Sequence, residues 1–224
     1  MSGTFESRWL GRVGFAETLA LQEELVRVKR ANPDAPDELW LLEHDPVYTI
    51  GRTPDQSSLR GTTHLPHQLF EINRGGQATY HGPGQLVGYF LVDLRRYGQD
   101  LHRYLRWIEA LLIELLAQYH ISAAARAGLT GVWVEKRKIA SIGVGVRHWI
   151  TMHGFALNVS DDLSPFDHIT PCGIAGVAMT SIERETGAIH QLDEVAARVA
   201  ALAGERIVCL APPRLVAAQN ALSS

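Results

Sequence analysis

Residues 131–159 constrain the fold most. Three apolar runs, at 131–134, 139–146 and 152–159, follow one another with no room for a helix between them. Parallel strands need a crossover connection of a dozen or more residues, so three such neighbours are predicted to pair antiparallel. The first two are separated only by Glu135-Lys136-Arg137, a hairpin-length turn. Just upstream, Leu101, Tyr104, Leu105, Ile108, Leu111, Leu112, Leu115, Leu116 and Tyr119 recur at helical spacing, predicting a helix over 101–119 with one apolar face. A second helix is predicted over 14–30, where Phe15, Leu19, Leu21, Leu25, Val26 and Val28 alternate with charges, and a third over 192–202. Short apolar runs at 39–42, 69–72 and 86–94 read as strands, and 52–68, rich in Pro, Ser, Thr and Gly, as a loop. The expected class is α+β (α/β): a mixed β-sheet core flanked by helices, formed by 1–224 as a single domain.

Bulk properties narrow the function. Apolar residues make up 46% of the 224, enough for a sizeable core, and the formal net charge is -3 without a basic stripe. Nucleic acid is therefore not an expected partner. No apolar run has the length of a membrane span, and residues 1–14 lack a signal-type apolar stretch, so the expected compartment is the cytoplasm. Two cysteines, Cys172 and Cys209, do not make a disulfide framework, and a reducing compartment leaves a thiol free for chemistry.

The segment 74–85 reads RGGQATYHGPGQ, with four glycines and a proline in twelve residues. Strand propensity does not account for it, because each glycine weakens regular structure. A plain surface loop would explain glycine alone; Arg74, Tyr80 and His81 within it point to a binding wall. GxGxxG and the GK[ST] phosphate loop are both missing. Cys172 lies between Pro171 and Gly173. A lone cysteine is most often a small buried hydrophobe, and Cys209, between Val208 and Leu210, is read as core. A turn, in contrast, exposes sulfur and offers backbone N–H groups to an oxyanion. A thiol of ordinary pKa is mostly protonated at neutral pH and needs an activating cation or base. Of three lysines, Lys29 and Lys136 stand among charges and are expected in solvent, leaving Lys138. Strand alternation puts Lys138, Ala140 and Ile142 on one face, with Ile139, Ser141 and Gly143 opposite. His168 and Cys172 are four apart, but Pro171 between them disfavours a helical metal pair and no second cysteine pair accompanies them, so no metal is expected. Asn158 and Asp167 read as turn and cap residues, and His81 and His153 as groups of open role.

The stretches RGGQATYHGPGQLVGYFLVDL, GVWVEKRKIASIGVGV, TMHGFALNV and LSPFDHITPCGIAGVAMTS together resemble the octanoyltransferases of protein lipoylation, over roughly residues 40–185. The resemblance implies the fold of biotin and lipoate protein ligases. It also implies transfer of octanoate from octanoyl-acyl carrier protein to a lysine of lipoyl domains, those of 2-oxoacid dehydrogenase complexes and the glycine cleavage H protein, with no cofactor. By position it makes Cys172 the acyl-thioester nucleophile and Lys138 the lysine that lowers its pKa. Three stretches become acyl-substrate contacts: Arg74, Gly75, Gly76, Gln77, Ala78, Thr79, Tyr80 and His81; Ser141, Ile142 and Gly143; Gly154, Phe155 and Ala156. Two other readings remain: an ATP-dependent lipoate ligase on the same fold, which needs no cysteine nucleophile, and a non-catalytic acyl-binding module.

Overall fold

The computed structural model describes residues 4–53, 57–59, 64–170 and 177–212. Ten strands are assigned: β1 (Phe5–Val13), β2 (Asp37–His44), β3 (Val47–Ile50), β4 (Leu69–Glu71), β5 (Thr79–His81), β6 (Gln85–Leu91), β7 (Ala124–Arg126), β8 (Leu129–Val134), β9 (Arg137–Arg147) and β10 (Ile150–Asn158). Four helices accompany them: α1 (Phe15–Ala31), α2 (Leu101–Ala117), α3 (Ile182–Thr186) and α4 (Leu192–Arg206). Seven strands form one sheet in the order β1-β2-β6-β10-β9-β8-β7, and β4-β3-β5 form a smaller one. The β8-β9-β10 meander is antiparallel as expected, and β1 beside β2 is parallel, so the sheet is mixed.

Its centre is covered on both faces. Leu41, Leu86, Phe90 and Leu157 pack against Ile108, Leu112 and Val199 of α2 and α4. On the other face, Trp40, Leu42, Val87, Tyr89 and Ala156 meet Leu25 of α1. Every residue of β6 and β10 is consequently buried, which is why these strands read as continuous apolar runs and not as alternating ones. Helix α2 begins where the Asp100 side chain accepts the Arg103 N–H, satisfying one of the donors a helix start leaves open.

Several expectations are corrected. The predicted strand at 86–94 stops at Leu91, where Asp93 caps a 3-10 turn over Leu94–Tyr97. Strand β1 carries no apolar alternation because it is a largely exposed edge. Lys29 is not in solvent: it is 1% exposed and pairs with Asp37 at 3.4 Å. Cys209 is not core; it faces out of a turn whose buried residues are Ile207 and Leu210. Asn158 ends β10 as a buried residue, its amide donating to the Thr180 carbonyl at 2.9 Å; Asp167 sits exposed in the 3-10 turn Ser164–His168.

Candidate active site

On the α1 face of the sheet lies a cavity of about 310 Å3. One wall is the glycine-rich stretch entering β5: Arg74, Gly76, Gln77, Ala78, Thr79 and His81. The floor is Ser141, Ile142 and Gly143 of β9 with Gly154, Phe155 and Ala156 of β10, and Lys138 stands at one end. The resemblance-derived stretches thus converge, except for Gly75 and Tyr80. Gly75 donates its N–H to the Val144 carbonyl at 2.9 Å. Tyr80 points the other way, as period-two alternation requires between Thr79 and His81, and packs on Tyr48 and Phe166. Arg74 lies tight on β9 because residue 143 is glycine: a Cβ there would sit 3.0 Å from Arg74 Cδ and 3.2 Å from the Gly75 carbonyl oxygen.

Lys138 reaches this space through a register slip. Trp133 pairs with Lys138, but Val132 pairs with Ala140, leaving Ile139 without a partner. The extra residue resets the alternation, so Lys138 joins Ser141 and Gly143 on the cavity side while Ile139, Ala140 and Val144 enter the main core. The predicted sharing of a face with Ala140 is overturned by that slip. Lys138 is 2% exposed, its ammonium 5.5 Å from the centre of the Trp133 ring. Its backbone is clamped by the chain beyond the cysteine segment: Lys138 N–H donates to the Ala178 carbonyl at 2.9 Å, and Thr180 N–H donates to the Lys138 carbonyl at 3.0 Å. On the other flank, Thr170 N–H donates to the Ser58 carbonyl at 2.9 Å, and the Ser58 hydroxyl accepts from Ala78 N–H. Cys172 itself lies outside the described residues.

The inner end holds buried imidazoles in fixed tautomers. Gln85 Nε2 donates to the Tyr80 carbonyl at 3.2 Å and to Asn158 Oδ1 at 3.0 Å. Its Oε1 therefore faces His81 Nδ1 at 2.8 Å and accepts a hydrogen bond from the Nδ1–H. His44 Nδ1 meets the Val13 carbonyl at 2.7 Å, so Nδ1 is the donor and Nε2 accepts from the Tyr89 hydroxyl, also at 2.7 Å. Burial, and then the nearby His44, push His81 down to about 3. Burial, and then the Arg74 charge, do the same to His153. Both rings are therefore neutral at physiological pH. Arg74 is held by Thr49, donating to its carbonyl at 3.0 Å and its hydroxyl at 2.9 Å.

Sequence reasoning missed Phe15, Ile72 and Tyr89, which also line the cavity. Each sits inside a run whose apolar pattern gives no hint of a ligand-facing side. Leu129 and Thr130 at the rim were equally silent.

Residues 15–202 match the model of the lipoyl protein ligase A/B catalytic domain. The chain is 52% identical over 192 residues to the octanoyltransferase of Geotalea uraniireducens (strain Rf4), covering 86% of this chain and 88% of that one. The chain belongs to the octanoyltransferase family. Within that family it is also 51% identical to the octanoyltransferase of Geobacter sulfurreducens, covering 86% of this chain and 80% of the other, and like these relatives it is an acyltransferase. Solved structures share the family's fold at low identity. The bipartite lipoate protein ligase of Thermoplasma acidophilum superposes with a TM-score of 0.69 at 17% identity, over 92% of this chain and 84% of that one. A biotin protein ligase from Aquifex aeolicus gives 0.53 at 17%, over 89% and 69%. Among the described residues no helix is long and apolar enough to cross a membrane.

Proposed function

We propose that the chain moves an octanoyl group from octanoyl-acyl carrier protein onto a lysine of lipoyl domains, in the cytoplasm, through a thioester on Cys172. The Cys172 thiolate attacks the donor's thioester carbonyl; the C–S bond to the carrier breaks, and the carrier thiolate leaves and takes up a proton. The acceptor lysine amine then attacks the acyl-enzyme carbonyl, an amide forms, and Cys172 is released as thiolate while the amine's proton is lost. Exchanging one thioester for another is nearly isoenergetic, and amide formation from a thioester is downhill, so neither half needs ATP.

The observation that carries this reading is a buried lysine at one end of a largely apolar cavity. A cation there stabilises a thiolate, and Cys172 lies two residues from Thr170, bonded to Ser58, and six from Ala178, bonded to Lys138 itself. With His81 and His153 held neutral at about 3, Lys138 is the group suited to the role. Seven saturated carbons leaving water contribute roughly 5 kcal/mol, at about 0.8 kcal/mol per methylene. The Thermoplasma ligase is described together with its E2 lipoyl domain, which supports lipoyl domains as the class of acceptor; the proposal extends to those of 2-oxoacid dehydrogenase complexes and to the glycine cleavage H protein.

Mixing the protein with octanoyl-acyl carrier protein, without ATP, is expected to give a single octanoyl adduct by intact mass, discharged by a lipoyl domain. The adduct should vanish in Cys172→Ala and form orders of magnitude more slowly in folded Lys138→Ala. A labile adduct that persists in Cys172→Ala sinks the scheme, and a strict need for ATP would favour the ligase reading.

A further inference from the structure

At the inner end of the cavity His153 sits in the middle of β10 with φ +60, a conformation that non-glycine residues seldom adopt and that a strand does not call for. Its register partner is Val144, whose side chain belongs to the main core on the far side of the sheet. The left-handed backbone turns the imidazole to the other side, where it lines the cavity and meets the Tyr89 ring edge-on at 6.0 Å. A fully buried glutamine of α1 holds the distortion in place: His153 N–H donates to Gln22 Oε1 at 2.8 Å. Among the described residues Nε2 of the ring has no hydrogen-bond partner. Strain and an unsatisfied ring nitrogen both work against stability, so something other than packing has to account for a histidine here.

The position supplies the reason. The cavity is open beside Gly76 and Gly128, which are exposed, and closed where Phe15, Tyr89 and His153 are buried. Along β9, the level of His153 is Val144, six residues from Lys138, or roughly 19–20 Å at the usual strand rise. Less the reach of the two side chains, that span accommodates a medium acyl chain and stops a long one. We propose that His153, braced by Gln22, is the end stop that sets acyl chain length. This inference rests on the acyl-transfer reading above.

The experiment compares octanoyl- and dodecanoyl-acyl carrier protein as donors for the wild-type protein, His153→Gly and His153→Asn, reading the rate of acyl adduct by intact mass. Glycine is at ease at positive φ and asparagine tolerates it, so both variants relieve strain while shortening the stop. The wild-type octanoyl adduct is the control for the acyl-transfer reading: without it that reading fails, whatever the variants do. Given that adduct, the dodecanoyl-to-octanoyl rate ratio is expected to rise about tenfold in the variants, since single methylene-sized changes in a pocket alter discrimination on that scale. An unchanged ratio in a folded variant, or loss of both activities in folded variants, overturns the proposal. Should the glycine variant not fold, the asparagine variant decides.

Discussion

A methyl group added at residue 131 would find no room. Gly131 has φ +128, and a Cβ there would lie 2.6 Å from Lys138 Cε and 3.2 Å from its ammonium nitrogen. The missing side chain is what lets the lysine lie across β8. Gly131→Ala is therefore expected to displace the ammonium and to slow octanoyl adduct formation about a hundredfold, the scale of an ångström-level misplacement. A wild-type acylation rate in that variant would show that the lysine's position is unimportant. At this scale the sequence was partly legible. Arg74, His81 and Lys138 stood out because charged and imidazole groups are rare among glycines or inside strands. The side on which Lys138 and His153 emerge was hidden, since one depends on an unpaired Ile139 and the other on a single backbone torsion.

Helix α1 shows how an element can be foreseen and its orientation missed. Its bounds follow from periodicity, but the buried face is Phe15, Thr18, Gln22, Val26 and Lys29, while Leu21 and Val28 are exposed. Polar side chains can face inward because each finds a partner. Thr18 bonds within the helix, donating to the Phe15 carbonyl, whereas Gln22 accepts from His153 N–H and Lys29 meets Asp37, which also receives Arg96 at 3.2 Å and the Tyr97 hydroxyl at 2.9 Å. The partners of Gln22 and Lys29 lie in other elements and leave no local trace. Lys29→Ala is expected to lower unfolding free energy by about 3–5 kcal/mol by stripping a buried carboxylate of one cation. Urea midpoints measure it, and a loss below about 1 kcal/mol would mean that Arg96 alone suffices for Asp37.

Across the whole molecule, buried titratable groups tilt stability with pH in opposite directions. His81 and His153 fall to about 3 in the folded protein, so folding favours their neutral forms. Their contribution is full above the ordinary histidine pKa of about 6.5 and is lost as pH falls from there toward 3. Asp161 is pushed up to about 8, chiefly by burial, and no side chain among the described residues hydrogen-bonds its carboxyl oxygens. Folding favours its protonated form, so stability is full below about 4 and is lost as pH rises through 8. Asp161→Asn should therefore raise unfolding free energy by about 1–3 kcal/mol at pH 8 and leave it unchanged near pH 4; equal effects at both would refute the assignment. The sheet order was only partly legible at this scale: the meander follows from short connections, whereas β1 pairs with β2 across the intervening α1 and its mostly polar, exposed sequence does not announce a strand. Beyond Leu157, where β10 stops pairing with β9, residues 178–180 take up the hydrogen bonds of Lys138. The lysine thus rides on a rung shared with the segment that leads out of the cysteine stretch, and a tug on that segment is a lever on the amine.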